Sequence, residues 1–154
     1  MPQPTGEPTS DTDPILTALL DKFAQASACW YSSVRQNNRS HLAPIWHVWL
    51  SPDIYVATQA MTVRTRNLQT NNSVSLALPD TSNVLIIEGV ASIVNQAPEE
   101  LYSLFQTKYN WDVRSDTNYQ TLIKIAPSKV LAWGDHGSGR WKFDPSIVHW
   151  SKLT

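Results

Sequence analysis

The residues best suited to chemistry lie between Thr58 and Leu68. Thr58 ends a predicted strand, a short loop follows, and Thr62 is placed to cap a short helix whose first turn carries Val63 and Arg64. A cation at a helix N-terminus is electrostatically unfavourable, because the helix dipole is already positive there. An anion bound by the free N–H groups, the Thr62 hydroxyl and the Arg64 guanidinium would explain it. The alternative is an exposed helix with solvated arginines.

A second candidate is the glycine-rich stretch from Gly134 to Trp141. Its glycines allow a tight loop, from which Arg140 could donate another charge-assisted hydrogen bond to the same anion. The Gly-Lys-Ser/Thr ending of a P-loop is missing. An ordinary hairpin turn is therefore the simpler interpretation of this segment.

The remaining reactive side chains do not form a catalytic set. His47 lies within an apolar strand pattern, where a structural role is favoured over a catalytic one. Glu88 also lies in an apolar strand and needs a partner, so an ion pair with an arginine from another strand or subunit is favoured over chemistry. Cys29 has no basic sequence neighbour and is interpreted as a core residue. Without a nucleophile or a zinc-binding spacing, any chemistry is expected from a bound cofactor.

Composition narrows the class of protein. The chain has 154 residues, enough for one domain, and 12 Lys and Arg against 13 Asp and Glu give a net charge of -1. This balance argues against a nucleic-acid partner, and the apolar runs are too short to span a membrane. The first residues lack a signal-peptide layout, which favours a soluble cytoplasmic protein. Residues 1–12 contain three prolines and are predicted to be a flexible tail, with a single domain over 13–154.

Hydrophobic periodicity predicts a mostly β protein. Asp13 and Pro14 mark a helix start, and strands are predicted over residues 29–34, 42–50 and 54–58, joined by short turns as an antiparallel meander. Further strands are expected at 73–78, 83–94, 122–125, 129–133 and 140–143, and a helix near Pro98. The nearly continuous apolar run over 43–50 indicates burial on both faces. A small closed barrel covered by helices or by a second subunit would provide that burial.

Five short segments occur in a characteristic order and spacing: Pro44-Ile45-Trp46, Tyr55-Val56-Ala57-Thr58, Arg64-Thr65-Arg66-Asn67-Leu68, Val74-Ser75-Leu76 and Glu88-Gly89-Val90-Ala91. With them the chain resembles, over about residues 24–143, the flavin-binding split-barrel proteins related to pyridoxamine 5'-phosphate oxidase. The resemblance implies a mostly β fold with flanking helices, a six-stranded antiparallel split barrel. It also implies a two-fold homodimer with two flavin mononucleotides (FMN) in the subunit interface.

The resemblance further implies positions for a cofactor. The FMN phosphate would lie at Arg64, with hydroxyl and backbone groups from Ala57, Thr58, Thr62 and Val63 around it. The flavin ring would lie beside Ile45 and Trp46, and the partner subunit would contribute Trp133 and Arg140. Some relatives bind a deazaflavin instead of FMN.

Three functions follow as expectations. The first is a flavin-dependent oxidoreductase of unknown substrate. The pyridoxal-phosphate-binding signature of the family, including its His-Asp-Arg run, is missing, which argues against pyridoxamine phosphate as that substrate. The second is a non-catalytic module that holds flavin or deazaflavin. The third is a lipocalin-like barrel for an apolar ligand.

Overall fold

The computed structural model describes residues 13–154, which form an antiparallel sheet with flanking helices. The helices are α1 (Pro14–Gln25), α2 (Val63–Asn67) and α3 (Glu99–Tyr109), and a single 3-10 turn spans Val113–Ser115. The strands are β1 (Cys29–Val34), β2 (Ser40–Ile45), β3 (Val48–Leu50), β4 (Asp53–Thr58), β5 (Ser73–Ala77), β6 (Val84–Val94), β7 (Thr121–Trp133), β8 (Gly139–Asp144) and β9 (His149–Lys152).

The sheet curls into a barrel that is left unpaired at one seam. Its strand order is β2-β1-β5-β6-β7-β4-β3, and the β8–β9 hairpin pairs with β7. Only Trp46 and His47 connect β2 to β3, the two ends of this order. Six strand spacings would separate those ends by about 29 Å in a flat sheet, whereas the link reaches about 11 Å. The two edges must therefore meet, which makes the fold a split barrel.

This topology confirms the predicted fold class and corrects two of its details. The sheet has nine strands rather than six, and the predicted strand over 42–50 is two strands separated by Trp46 and His47. The predicted meander is wrong at this point, because β2 and β3 do not pair. The apolar run does not show that the chain passes from one edge of the sheet to the other at Trp46 and His47.

Helix α1 begins where its capping residues predict. The Asp13 carboxylate accepts hydrogen bonds from the backbone N–H groups of Ile15 and Leu16, and Pro14 occupies the first helical position. The inward face of the helix, including Leu16 and Phe23, is fully buried in the main core. That core fills the barrel interior.

Strand β4 separates two hydrophobic cores. Ile54 and Val56 face the barrel interior, whereas Tyr55 and Ala57 face a smaller core beneath α3. Burial on both faces was predicted for residues 43–50, and within that range it holds for β3, where Trp49 faces the main core and Val48 the smaller one. It does not hold for β2, which alternates between exposed and partly buried residues up to Ile45. Strand β4 is also buried on both faces.

Strand β7 is continuous where two strands were predicted. The two predicted strands, 122–125 and 129–133, flank Pro127, which has no N–H to donate to a ladder. In the structure Pro127 lies opposite Gly89 at a register shift, so the ladder needs no donor there. A Cβ at Gly89 would lie 2.6 Å from the Ala126 carbonyl oxygen, which explains the glycine. The bulge therefore lets one long strand pair with β6, β4 and β8.

The predicted flexible tail at residues 1–12 lies outside the described residues. Within residues 13–154 no helix is long and apolar enough to cross a bilayer.

Candidate functional site

A cavity of about 580 Å³ opens beside the barrel seam. The end of β2, the end of β4, helix α2 and the segment after α3 surround it. Its lining consists of Ala28, Pro44, Ile45, Trp46, Val56, Ala57, Arg64, Tyr109, Asn110, Trp111, Asp116 and Tyr119. Four of the predicted site residues, Ile45, Trp46, Ala57 and Arg64, therefore meet in one place.

Arg64 is the cation of this cavity. Its Nη1 donates to the Thr58 hydroxyl at 2.8 Å, whereas its buried Nε has no hydrogen-bond partner. Burial lowers the pKa of Arg64, although a guanidinium still stays charged at neutral pH. Among residues 13–154 the one ion pair joins Arg114 to Glu99, so no carboxylate neutralises Arg64 within that part of the chain. A half-buried, unneutralised guanidinium can receive an anionic ligand.

A buried tyrosine lies near this cation. Tyr31 of β1 is fully buried, and its hydroxyl also lacks a partner. Burial raises the pKa of Tyr31 to about 12, and the positive charge of Arg64 opposes that increase. The neutral hydroxyl is a second unused hydrogen-bonding group close to Arg64.

The other predicted phosphate-site residues have mainly local contacts. The Thr62 hydroxyl caps α2 by accepting from the Thr65 N–H at 3.3 Å, and it lies 2.7 Å from the Thr65 hydroxyl. It lies 3.4 Å from Thr58, which is fully buried. Val63 begins α2, is partly buried and does not line the cavity. The structure thus brings Thr58 into contact with Arg64, while Thr62 and Val63 shape the helix start.

Aromatic rings form the wall opposite β4. Trp46, on the link between β2 and β3, is 54% exposed and stacks on Tyr109 with ring centroids 4.7 Å apart and planes inclined by 5°. Trp111 contacts Trp46 and Tyr119 edge to face, at 5.9 and 5.1 Å. A planar ligand could pack against such faces.

Sequence analysis did not assign the residues that follow α3 to the site. Asn110 ends α3 in the left-handed conformation at φ 51, which turns the chain back towards the cavity. Asp116 then fixes the Trp111 ring by accepting from its indole N–H at 2.9 Å. The density of aromatic residues over 109–119 was the available signal, but none of them was predicted to belong to the site.

Trp133 and Arg140 do not reach this cavity within one chain. Ala57 pairs with Leu122 near the start of β7, whereas Trp133 is the last residue of that strand. Arg140 is exposed, and its Nη2 lies 3.4 Å from the carbonyl oxygen of Thr154. Their predicted contribution from a partner subunit stays a prediction.

The glycine-rich loop that begins at Gly134 is held by hydrogen bonds to the neighbouring Asn83, as in a structural turn. The Asn83 side-chain oxygen accepts from the N–H groups of Asp135 and His136 at 2.8 and 3.2 Å. Gly134 has φ +119, and a Cβ there would lie 2.3 Å from the Ser82 carbonyl oxygen. This geometry supports the simpler interpretation of the loop.

Three further predicted residues have structural surroundings. His47 is fully buried, and burial lowers its pKa to about 4 although the bond from its Nε2 to the Phe23 carbonyl, at 2.8 Å, acts in the opposite direction. Cys29 is buried, which raises its pKa to about 12. Glu88 is exposed opposite Lys129, and it forms no ion pair with an arginine among residues 13–154. An ion pair with another subunit stays a prediction.

Comparisons with known proteins agree with this fold. The chain matches no curated protein in sequence. It is similar to the general stress protein 26 from Bacillus anthracis at 25% identity, with a TM-score of 0.61, covering 76% of this chain and 92% of that one. An F420 reductase is 15% identical with a TM-score of 0.59, covering 71% of this chain and 94% of that one. The heme storage protein HutZ from Vibrio cholerae is 17% identical with a TM-score of 0.59, covering 74% and 93%.

The sequence also matches the model of a known protein family. The model described as pyridoxamine 5'-phosphate oxidase matches residues 15–134, which include α1, the seam and the whole cavity. The barrel with its unpaired seam and the resemblance found in the sequence agree with that match. This chain therefore belongs to the pyridoxamine 5'-phosphate oxidase family.

Proposed function

We propose that this protein binds flavin mononucleotide in the seam cavity and acts as an oxidoreductase on a small molecule. The observation that carries the proposal is Arg64, a half-buried guanidinium with an unpartnered Nε and no acidic partner among the described residues, facing a cavity with aromatic walls. A phosphate would satisfy that guanidinium, and a planar ring would fill the aromatic part of the cavity.

The residues present fit this cofactor. Arg64 would hold the phosphate, and Thr58, which lies behind it and accepts from its Nη1 at 2.8 Å, would keep the guanidinium in place. Ile45 and Trp46 would orient the ring and exclude water from one of its faces. The bound flavin would supply hydride transfer. The chain itself needs no nucleophile for such a role.

We also propose that the active form is a homodimer. An apolar row crosses the outer face of five neighbouring strands through Pro44, Trp30, Ala77, Ile86 and Leu131, which are successive partners in the sheet register. Trp30 is 41% exposed, and such a row favours burial against a partner. Pro44 also lines the cavity, so a second copy on this row would reach the cavity mouth. Arg140 continues the row opposite Leu131, which supports its proposed role across the interface.

A non-catalytic flavin or deazaflavin carrier is the alternative, and the same Arg64 and aromatic walls support it. Heme, which the name of one structural neighbour mentions, is less favoured here. No His, Cys or Met lines the cavity among the described residues, and of the two lining tyrosines, which can also ligate heme iron, Tyr109 already bonds the His47 backbone.

The test is the spectrum of the purified protein and its titration with FMN. We expect visible flavin absorption or saturable quenching of added FMN fluorescence. Dimer formation is measured on the same sample by sedimentation. A colourless protein that leaves FMN fluorescence unchanged contradicts the proposal. Oxidation of the reduced, bound cofactor by a small acceptor, faster than that of free reduced flavin, separates the enzyme from the carrier.

A further inference from the structure

Two consecutive residues at the end of α3 hold the link between β2 and β3. Lys108 Nζ donates to the carbonyl oxygens of His47 at 2.6 Å and Ala24 at 2.9 Å. The Tyr109 hydroxyl accepts from the His47 N–H at 2.9 Å and lies 2.8 Å from the His47 carbonyl oxygen. Both backbone groups of His47 are therefore bonded by side chains of one helix.

These contacts replace the hydrogen bonds that a sheet would otherwise supply. His47 lies at the seam, where β2 and β3 do not pair, and its backbone is removed from water. A buried N–H or C=O without a partner is costly, so the link needs donors and acceptors from elsewhere. Lys108 and Tyr109 provide them, and they thereby fix the direction in which the neighbouring Trp46 leaves the backbone.

Burying the charged amino group of Lys108 is energetically unfavourable. Burial lowers the pKa of Lys108 to about 8, and its nearest titratable neighbours, Cys29 and His47, are buried with it. No carboxylate pairs with it among residues 13–154, so main-chain carbonyls take most of its donors. A desolvated cation that bonds two carbonyls is suited to holding a backbone segment in one place.

We propose that Lys108 and Tyr109 are positioning residues for the flavin site, because they clamp the His47 peptide and so hold the Trp46 ring as the cavity wall. The tyrosine acts twice, since its hydroxyl bonds His47 while its ring stacks on Trp46. This proposal rests on the proposed flavin function for its effect on affinity. Its effect on Trp46 does not depend on any ligand.

The experiment compares Lys108→Met, which keeps the chain length, with Tyr109→Phe, which keeps the stacked ring. The control Ile87→Val removes one methyl from the barrel core and lowers stability without touching the seam. The first readout is near-ultraviolet circular dichroism of the flavin-free proteins, with Trp46→Ala defining the Trp46 signal. The second is the dissociation constant for FMN, measured in each variant and again in the Trp46→Ala background.

We expect Lys108→Met and Tyr109→Phe each to lose the Trp46 signal and to bind FMN about tenfold more weakly than wild type. Ile87→Val should keep the Trp46 signal and the wild-type FMN affinity. In the Trp46→Ala background neither Lys108→Met nor Tyr109→Phe should weaken binding further. If the Trp46 signal is unchanged in both Lys108→Met and Tyr109→Phe, then these residues do not hold the Trp46 ring, and that part of the proposal is overturned. This result can be obtained even if wild type binds no FMN and the flavin proposal has failed separately. The positioning role is overturned if Lys108→Met and Tyr109→Phe bind FMN as tightly as wild type. It is also overturned if each change weakens FMN binding by the same factor in the Trp46→Ala background as in wild type. Should Lys108→Met fail to fold, Tyr109→Phe decides the question.

Discussion

Replacement of Arg64 by alanine should separate ligand binding from folding. In the free protein the change removes one hydrogen bond to Thr58 together with a half-buried cation that has no acidic partner among the described residues. The lost bond and the relieved desolvation oppose each other, so the free energy of unfolding should change by no more than about 1 kcal/mol. With FMN bound, the same change removes a charge-assisted hydrogen bond to phosphate, worth about 1.5–3 kcal/mol. Affinity should therefore fall roughly 10- to 150-fold.

Riboflavin makes this prediction specific to the phosphate, because it has the same ring without the charged group. Wild type should bind FMN more tightly than riboflavin, and Arg64→Ala should remove most of that difference while leaving riboflavin affinity unchanged. Arg66→Ala is the matched control, since Arg66 is exposed on the same short helix and does not line the cavity. Fluorescence titration of both ligands and urea unfolding of the flavin-free variants provide the measurements. A loss of stability in Arg64→Ala with an unchanged preference for FMN over riboflavin would refute the phosphate assignment.

Three further predictions concern the scaffold. Burial lowers the pKa of His47 from 6.5 to about 4, so the unfolded chain binds more protons between those values. Stability should fall by up to about 3 kcal/mol as the pH drops from 6.5 to 4, and urea titrations of His47→Gln should show a flatter pH dependence. Asp13→Ala removes the α1 cap and the 2.6 Å bond to the Trp141 indole, which should cost about 2 kcal/mol in urea unfolding. Gly134→Ala forces a Cβ to 2.3 Å from the Ser82 carbonyl oxygen at positive φ, and it should lower stability by about 1–3 kcal/mol in the same assay.

The parts of the fold that local chemistry determines were predictable from the sequence. Asp13 and Pro14 predict the start of α1 because a cap and a fixed φ act within one turn. Thr62 predicts the start of α2 for the same reason. The two errors in strand boundaries, at His47 and at Pro127, have one physical origin. At each of these positions the strand pattern along the chain depends on a contact with a segment distant in sequence. For His47 the contact is the Tyr109 hydroxyl, and for Pro127 it is the bulge at Gly89.

The candidate site was predictable on one side only. Arg64 was found because a cation at a helix start is unusual within a short segment, whereas Trp46 was assigned to the site only through the family resemblance. The opposite wall depends on where the chain travels after Asn110, and the left-handed turn there has no strong sequence signal. Tyr109 and Trp111 were therefore not predicted as site residues, although they line the cavity.

The location of the cavity follows from the way the barrel fails to close. A barrel closed by a complete hydrogen-bond ladder bonds its backbone groups from strand to strand and leaves no opening between two edge strands. Here β2 and β3 meet through two residues without pairing, so side chains must hold the backbone at that point. Because α3 supplies those side chains, its end must approach the seam, and the chain that continues from it brings Trp111 and Tyr119 beside Trp46. The unpaired seam, the clamp that holds it and the aromatic wall of the cavity are thus consequences of a single topological feature.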